Sequence, residues 1–235
     1  MTQLIYATGP WSGRQVKTHV PVRQVVEPTG TFVRGDFPSV KARRMVLYEE
    51  LLERDFLHLC DFAPQVVNIQ EQPFKFQYAM DNKLRRYTPD FALTMADGSI
   101  LVVEVKPADT LAKPAVREKF LYIKEAMHRQ GHQFIVVTSK TIRAPHRLDN
   151  LKQLYRPQHE RLSMELLQLL RQLNALFGCQ PISLSRLTAT VGSSEPIFRL
   201  LAHGLVSCDL DQLISPDTLI TLTAQEADYV FVNSL

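Results

Sequence analysis

The run Ile100-Leu101-Val102-Val103-Glu104-Val105-Lys106 carries two charges inside an otherwise apolar, strand-like stretch. Side chains alternate along a strand, so Glu104 and Lys106 share one face while Val103 and Val105 take the other. Asp90, in Pro89-Asp90, stands near the start of the partner run Tyr87–Thr94, and Ala96-Asp97-Gly98 separates the two. Asp-Gly between alternating apolar runs predicts a β-hairpin. One carboxylate from each strand, with a lysine at the rim, forms a compact anionic notch. Magnesium favours hard oxygen donors, keeps several waters and binds substrate phosphate; manganese is its natural substitute. The lysine can orient an attacking water or help deprotonate it, so the cluster suits metal-assisted phosphodiester hydrolysis. A Glu-x-Lys can also be a surface ion pair, and Pro-Asp can simply begin a strand. Against that bland reading, an unpaired charge closing so apolar a strand is costly.

The geometry carries a condition. A strict two-residue Asp97-Gly98 turn sets Asp90 opposite Val105, on the wrong face. A three-residue loop or a one-residue bulge is therefore expected, since either flips the face downstream.

Several elements must hold this hairpin. Residues 1–38 hold glycines and prolines without a sustained period and read as a loop-rich arm, with a short strand at Thr18–Val25. Ser39 looks like an N-cap, and Met45, Tyr48, Leu52, Phe56 and Leu59 recur at helical spacing, predicting an amphipathic helix over 40–60. Val66–Gln70 and Phe74–Tyr78 read as strands broken by Gln72-Pro73. Val116, Phe120, Ile123 and Met127 predict a helix over 113–130 that stops at Gly131, and Phe134–Thr138 reads as a buried strand. The order describes an α/β domain, a mixed central sheet flanked by helices. Farther on, Met164–Phe177 reads as a helix ending at Gly178. Leu184–Val191 and Glu195–Leu205 read as a helix-turn-helix, with Val206–Asp209 and Thr218–Leu222 as a small β-wing, the pattern of a winged helix. The expected division is 1–38 arm, 39–160 catalytic domain, 161–235 winged-helix-like domain.

Charge divides the same way. Residues 1–161 hold 24 Lys and Arg against 17 Asp and Glu; residues 162–235 hold 3 against 7. The basic front suits a polyanion such as nucleic acid. Lys140, Arg143, Arg147, Lys152, Arg156 and Arg161 form the strongest basic run and are candidates to track phosphate or to contact a partner, unless they merely solvate a linker. No apolar run reaches the roughly 20 residues of a membrane helix and no leader opens the chain, so a cytoplasmic location is expected. Three separated cysteines, no HExxH and no GxxxxGK[ST] argue against disulfide, zinc and ATP-binding classes.

Pro89-Asp90 with Glu104-Val105-Lys106 resembles the PD-(D/E)xK pattern of restriction enzymes, repair nucleases and resolvases. With Leu51-Leu52-Glu53-Arg54-Asp55-Phe56, Gln70-Glu71-Gln72-Pro73, Thr88-Pro89-Asp90-Phe91 and Val103-Glu104-Val105-Lys106-Pro107-Ala108, the chain is similar to TnsA over roughly residues 20–222. TnsA is the endonuclease subunit of a heteromeric cut-and-paste transposase. The resemblance implies a restriction-endonuclease-like fold and a magnesium-dependent enzyme that cuts the 5′ strands at transposon ends. It also implies a TnsB-like DDE transposase that cuts and joins the other strand, and a TnsC-like AAA+ ATPase met through the acidic C-terminal domain. Asp90 and Glu104 would be metal ligands with the Val105 carbonyl, and Lys106 would position water. Spacing leaves Glu49 and Glu53 equally placed on the first helix, with Glu50 able to pair with Arg54; the resemblance selects Glu53. Some members of that family carry glutamine where Glu104 stands. The rival readings are a stand-alone restriction or repair nuclease and a non-catalytic assembly adaptor.

Overall fold

The computed structural model describes residues 5–6, 34–178, 180–223 and 235. The strand expected at Thr18–Val25, most of the expected arm and Cys179 lie outside the described residues. Backbone contacts divide the chain into one unit of residues 1–142 and 228–235 and a second of 143–227.

In the first unit a short strand β1 (Ile5–Tyr6) precedes β2 (Gly35–Ser39), β3 (Arg44–Tyr48) and helix α1 (Leu51–Phe62). Strands β4 (Val66–Glu71), β5 (Phe74–Met80), β6 (Lys83–Tyr87), β7 (Phe91–Met95) and β8 (Ile100–Lys106) follow. Helices α2 (Ala108–Leu111) and α3 (Pro114–His128), strand β9 (Gln133–Thr138) and helix α4 (Ser139–Ile142) come next. The central sheet has the order β4-β7-β8-β9. Its first two pairings are antiparallel, whereas β8 and β9 run parallel and are joined through α2 and α3, the crossover that parallel strands require. This mixed sheet flanked by helices is consistent with a restriction-endonuclease-like fold.

Both faces of the sheet are covered, which is why β8 reads as an almost unbroken apolar run. On one face Val102, Phe134 and Val136 join Phe120, Ile123 and Met127 of α3 and Phe74, Phe76, Tyr78 and Tyr87 from β5 and β6 in one buried cluster. On the other, Phe56 of α1 lies against Phe91, ring centroids 5.7 Å apart.

The helix expected over 40–60 is shorter. Residues 35–48 form a β2–β3 hairpin, and α1 begins only at Leu51. Val46 is fully buried between exposed Met45 and Leu47, the two-residue alternation of a strand, which the helical spacing of Met45, Tyr48 and Leu52 concealed. Ser39 therefore caps no helix. Its hydroxyl donates to buried Asp61 on α1 at 2.5 Å, and the same carboxylate accepts from Val40 N at 2.7 Å and Lys41 N at 3.3 Å. Asp61 thus pins the hairpin loop onto the end of α1. On the hairpin's other side, Arg44 grips buried Glu71 of β4 through both guanidinium nitrogens, at 2.7 and 2.5 Å.

Strand β6 was not foreseen. Asp81 and Asn82, both at positive φ (55° and 54°), turn β5 back into it, the backbone that a two-residue hairpin of the primed type requires.

The second unit contains α5 (Arg147–His159), α6 (Met164–Phe177), β10 (Ile182–Ser183), α7 (Leu184–Val191), α8 (Glu195–Ala202) and β11 (Leu219–Ile220). Residues 147–159, read as part of a connecting basic segment, are a helix of this unit. Ser163 and Ser183 cap α6 and α7, each accepting from a backbone N–H. Strands β10 and β11 pair, and Ser207 bridges Thr221 beside them. Buried Asn150 ties α5 to the 210–214 loop, donating to Leu210 O and Gln212 O and accepting from Ile214 N.

Replacing Asp61 by alanine leaves two main-chain N–H groups and a hydroxyl without their acceptor. We expect Asp61→Ala to lower unfolding free energy by about 2–4 kcal/mol in urea titration. A loss under about 0.5 kcal/mol would show that the hairpin loop does not depend on it.

Candidate active site

The β7–β8 hairpin meets the condition set by the sequence. Phe91 faces Val103, Ala92 faces Val102, Leu93 faces Leu101 and Thr94 faces Ile100. Met95 N bonds to Ser99 O, so the loop is three residues, 96–98, with Gly98 at φ +84°. That left-handed residue is the usual third position of such a loop. Continued outward, the register sets Asp90 beside Glu104, on one face.

Side-chain contacts follow. Lys106 Nζ lies 2.9 Å from Glu104 Oε1 and 3.9 Å from Asp90 Oδ2. Asp90 Oδ2 also accepts the Val105 N–H at 2.8 Å, which fixes the carboxylate across the end of β8. The other oxygen of Glu104 accepts from the Tyr87 hydroxyl. Glu104 is buried, with only 5% of its side chain exposed, yet both of its oxygens are engaged.

Glu53, in the first turn of α1, accepts the Glu49 N–H at 2.7 Å, reaching back to the residue before the N-cap Glu50. Its carboxyl is pushed up to about 7, foremost by burial and further by the charges of Glu50 and Glu49, with the Glu49 N–H and Lys106 opposing. Asp90 is raised well above the usual carboxylate range, by burial first and then by Glu104, with Glu53 adding and Lys106 opposing. Burial disfavours the Lys106 ammonium, but Asp90 and Glu104 outweigh it and the net shift is upward. The structure therefore brings Asp90, Glu104 and Lys106 into contact and sets Glu53 within electrostatic reach. Arg54, which its spacing also made able to pair with Glu50, donates its guanidinium to Asp55 at 3.0 Å.

Two further residues touch the site. The sequence pattern makes Tyr87 a strand start, although an aromatic three residues before Asp90 with a hydroxyl to place is a usable signal. Its ring sits edge-on to Phe120 and Phe134, and Lys119 Nζ lies 5.8 Å above it. Gln72 donates its N–H to Asp90 O at 2.8 Å and is held at φ +41°, a conformation a glutamine seldom adopts. Its buried Oε1 has no hydrogen-bond partner among the described residues.

The basic run divides between the two units. Lys140 is exposed on α4, whereas Arg143 and the α5 residues Arg147, Lys152 and Arg156 belong to the second unit, as does Arg161. Arg147 is committed to Asp211 at 2.5 Å within its own unit.

Among the described residues no three His, Cys, Asp or Glu side chains form a ready-made metal cage. The donor set at the notch is two carboxylates. That matches the way magnesium is bound, through one or two carboxylates with waters and substrate phosphate making up the rest. The upward push on Asp90 and Glu53 comes first from burial and then from neighbouring carboxylates, both of which disfavour the charged form that a divalent cation would favour.

Residues 63–139 match the family model described as the TnsA-like endonuclease N-terminal domain. The matched span runs from the end of α1 to β9 and includes Asp90, Glu104 and Lys106; Glu53 precedes it. No curated protein matches the chain. No helix among the described residues is long and apolar enough to cross a membrane.

Because folded Glu53 holds its proton up to about pH 7, against about 4.3 for an unfolded glutamate, its contribution to stability is complete below the lower value and is lost as pH rises through the upper one. In chelator, Glu53→Gln should match the parent near pH 4 and unfold at a higher temperature than the parent near pH 8. A pH-independent difference would contradict this.

Proposed function

We propose that this chain, which carries a TnsA-like endonuclease N-terminal domain over residues 63–139, is a magnesium-dependent DNA endonuclease cutting the 5′ strands at transposon ends. In this reading it acts with a TnsB-like DDE transposase and a TnsC-like AAA+ ATPase. The observation that carries the reading is the juxtaposition of Asp90 and Glu104 across one hairpin, with Lys106 Nζ 3.9 and 2.9 Å away.

Asp90 and Glu104 would hold the metal, with the Val105 carbonyl as a further oxygen donor. When bound, a divalent ion polarises the scissile phosphate and makes water a stronger nucleophile. Lys106 keeps its proton firmly, because both carboxylates favour the ammonium. It therefore serves as a hydrogen-bond donor that orients the attacking water, rather than as a base. Glu53 completes the acidic set from α1, and Tyr87 holds the far oxygen of Glu104 so that the near one stays directed at the notch. The second unit, which contains the acidic stretch from residue 162, is the part we assign to contact with the ATPase; the α7–α8 pair and the β10–β11 ladder support reading it as winged-helix-like.

The test is plasmid cleavage at a transposon end by the purified chain, alone and with its two partner subunits. Asp90→Ala and Lys106→Ala should each reduce cleavage at least about 10²-fold with unchanged circular dichroism. Equal nicking by Asp90→Ala would overturn the assignment. Robust cutting without partners would instead favour a stand-alone nuclease, and deletion of 162–235 without loss of ATPase binding would remove that interface.

Partners behind the metal ligands commonly set metal affinity within 10- to 100-fold. Tyr87→Phe keeps the ring and removes the hydroxyl, so we expect manganese binding by calorimetry to weaken by about that factor. An unchanged affinity would show that Glu104 needs no such support.

A further inference from the structure

We infer that the β5–β6 hairpin is a phosphate-tracking arm, binding the DNA backbone beside the bond to be cut; this rests on the nuclease reading. The hairpin is rooted at the candidate site at both of its ends. Before β5, Gln72 N bonds to Asp90 O at 2.8 Å. At the end of β6, the Tyr87 hydroxyl bonds to Glu104, and Asp90 follows three residues later. Phe76 faces Tyr87 and Tyr78 faces Arg85 across the pair, and the inner aromatic side chains are buried. The root is therefore held by the core and cannot swing away from the notch.

Charge lies on the rest. Lys75, Lys83, Arg85 and Arg86 are all exposed, and between residues 74 and 87 the only acid is Asp81, which Arg85 engages at 2.8 Å. Lys75 and Arg86 lie on the outer side of the ladder, opposite to Phe76 and Tyr87, because neighbouring residues alternate. Lys83 stands beside the turn. An extended chain advances at most about 3.3–3.6 Å per residue, so Arg86 is within roughly 14 Å of Asp90 and Lys83 within roughly 25 Å. Phosphates on one DNA strand succeed each other by about 3.4 Å of helix rise. A DNA strand seated with its scissile bond at Asp90 thus has several successive phosphates within reach of these cations. Lysines on an edge strand also deter sheet-to-sheet association, and β6 is an edge. That role accounts for charge on the strand but not for the hairpin's anchorage, to Asp90 at one end and to Glu104 at the other.

The experiment uses the full chain carrying Asp90→Ala, so that DNA is not consumed, and a fluorescein-labelled 30-base-pair duplex. Anisotropy gives affinity as a function of potassium chloride, with and without Lys75→Ala, Lys83→Ala and Arg86→Ala together. These three side chains are exposed, and circular dichroism checks that the fold is retained. Each lost phosphate contact removes about 0.9 from the slope of log affinity against log salt. We expect the slope to shrink by about 2–3 and the affinity at 100 mM salt to fall at least about tenfold. A slope within about 0.5 of the Asp90→Ala protein, or no duplex binding by that protein at low salt, would overturn the inference. The nuclease reading is judged separately, by cleavage with Asp90 intact. A chain that cuts but keeps its slope loses only the arm, and one that binds through the arm but never cuts loses only the reading.

Discussion

A carboxylate sits inside the sheet. Glu104 occupies a buried position on a strand whose neighbours Leu101, Val102, Val103 and Val105 are all core residues. Leaving such a group without partners costs several kcal/mol at least, so the surrounding structure must bring it a hydrogen-bond donor and a cation. Lys106 comes from the same strand, two residues on, where alternation returns it to the same face. Tyr87 comes from β6, in a different sheet, and can arrive only because Thr88-Pro89 carries the chain from one sheet to the other. The break between β6 and β7 is therefore the step that delivers a hydroxyl to Glu104 and then, immediately, Asp90 to its side.

The compensation is partial. Burial first pushes Asp90 and Glu53 toward holding protons; Glu104 and Glu53 add to it at Asp90, Glu50 and Glu49 add to it at Glu53, and Lys106 opposes both. Like charges gathered in a buried place are tolerated when something else is to be bound there. A purely structural solution was available at much lower cost. Arg44 and Glu71 show it, a two-pronged pair whose arginine also donates to Ile69 O and Met45 O. The contrast between that satisfied pair and the under-compensated notch separates a strut from a site within one sheet.

Much of this was legible in the residues. A three-residue loop or a one-residue bulge was required once Asp90 and Glu104 had to share a face, and the structure has the loop, with Gly98 at positive φ. The helices α3 and α6 were visible because their apolar spacing is sustained and each ends close to a glycine, Gly131 and Gly178. What escaped lay where two periods compete over a few residues. Met45, Tyr48 and Leu52 fit a helix, while Met45, Val46 and Leu47 fit a strand. Long-range pairing settles the matter, because Val46 is buried opposite Phe37 and Asp61 claims the loop. No local rule weighs a carboxylate on α1, some twenty residues later.

Strand β6 was hidden for a different reason. Lys83, Leu84, Arg85 and Arg86 are all exposed, so the alternation that betrays a half-buried strand is missing until Tyr87. The strand exists because β5 has a strong apolar face to pair beside and because Asp81-Asn82 can adopt the left-handed turn that reverses the chain. Its pairing is fixed by the partner and the turn, while most of its own side chains are left free of packing duty. Tyr87 is the exception, and it is the residue that touches the site. A strand relieved of packing everywhere except at its root can carry whatever charge its surroundings favour without a penalty in the core. Here that charge is positive, and it begins one residue from the tyrosine that holds Glu104.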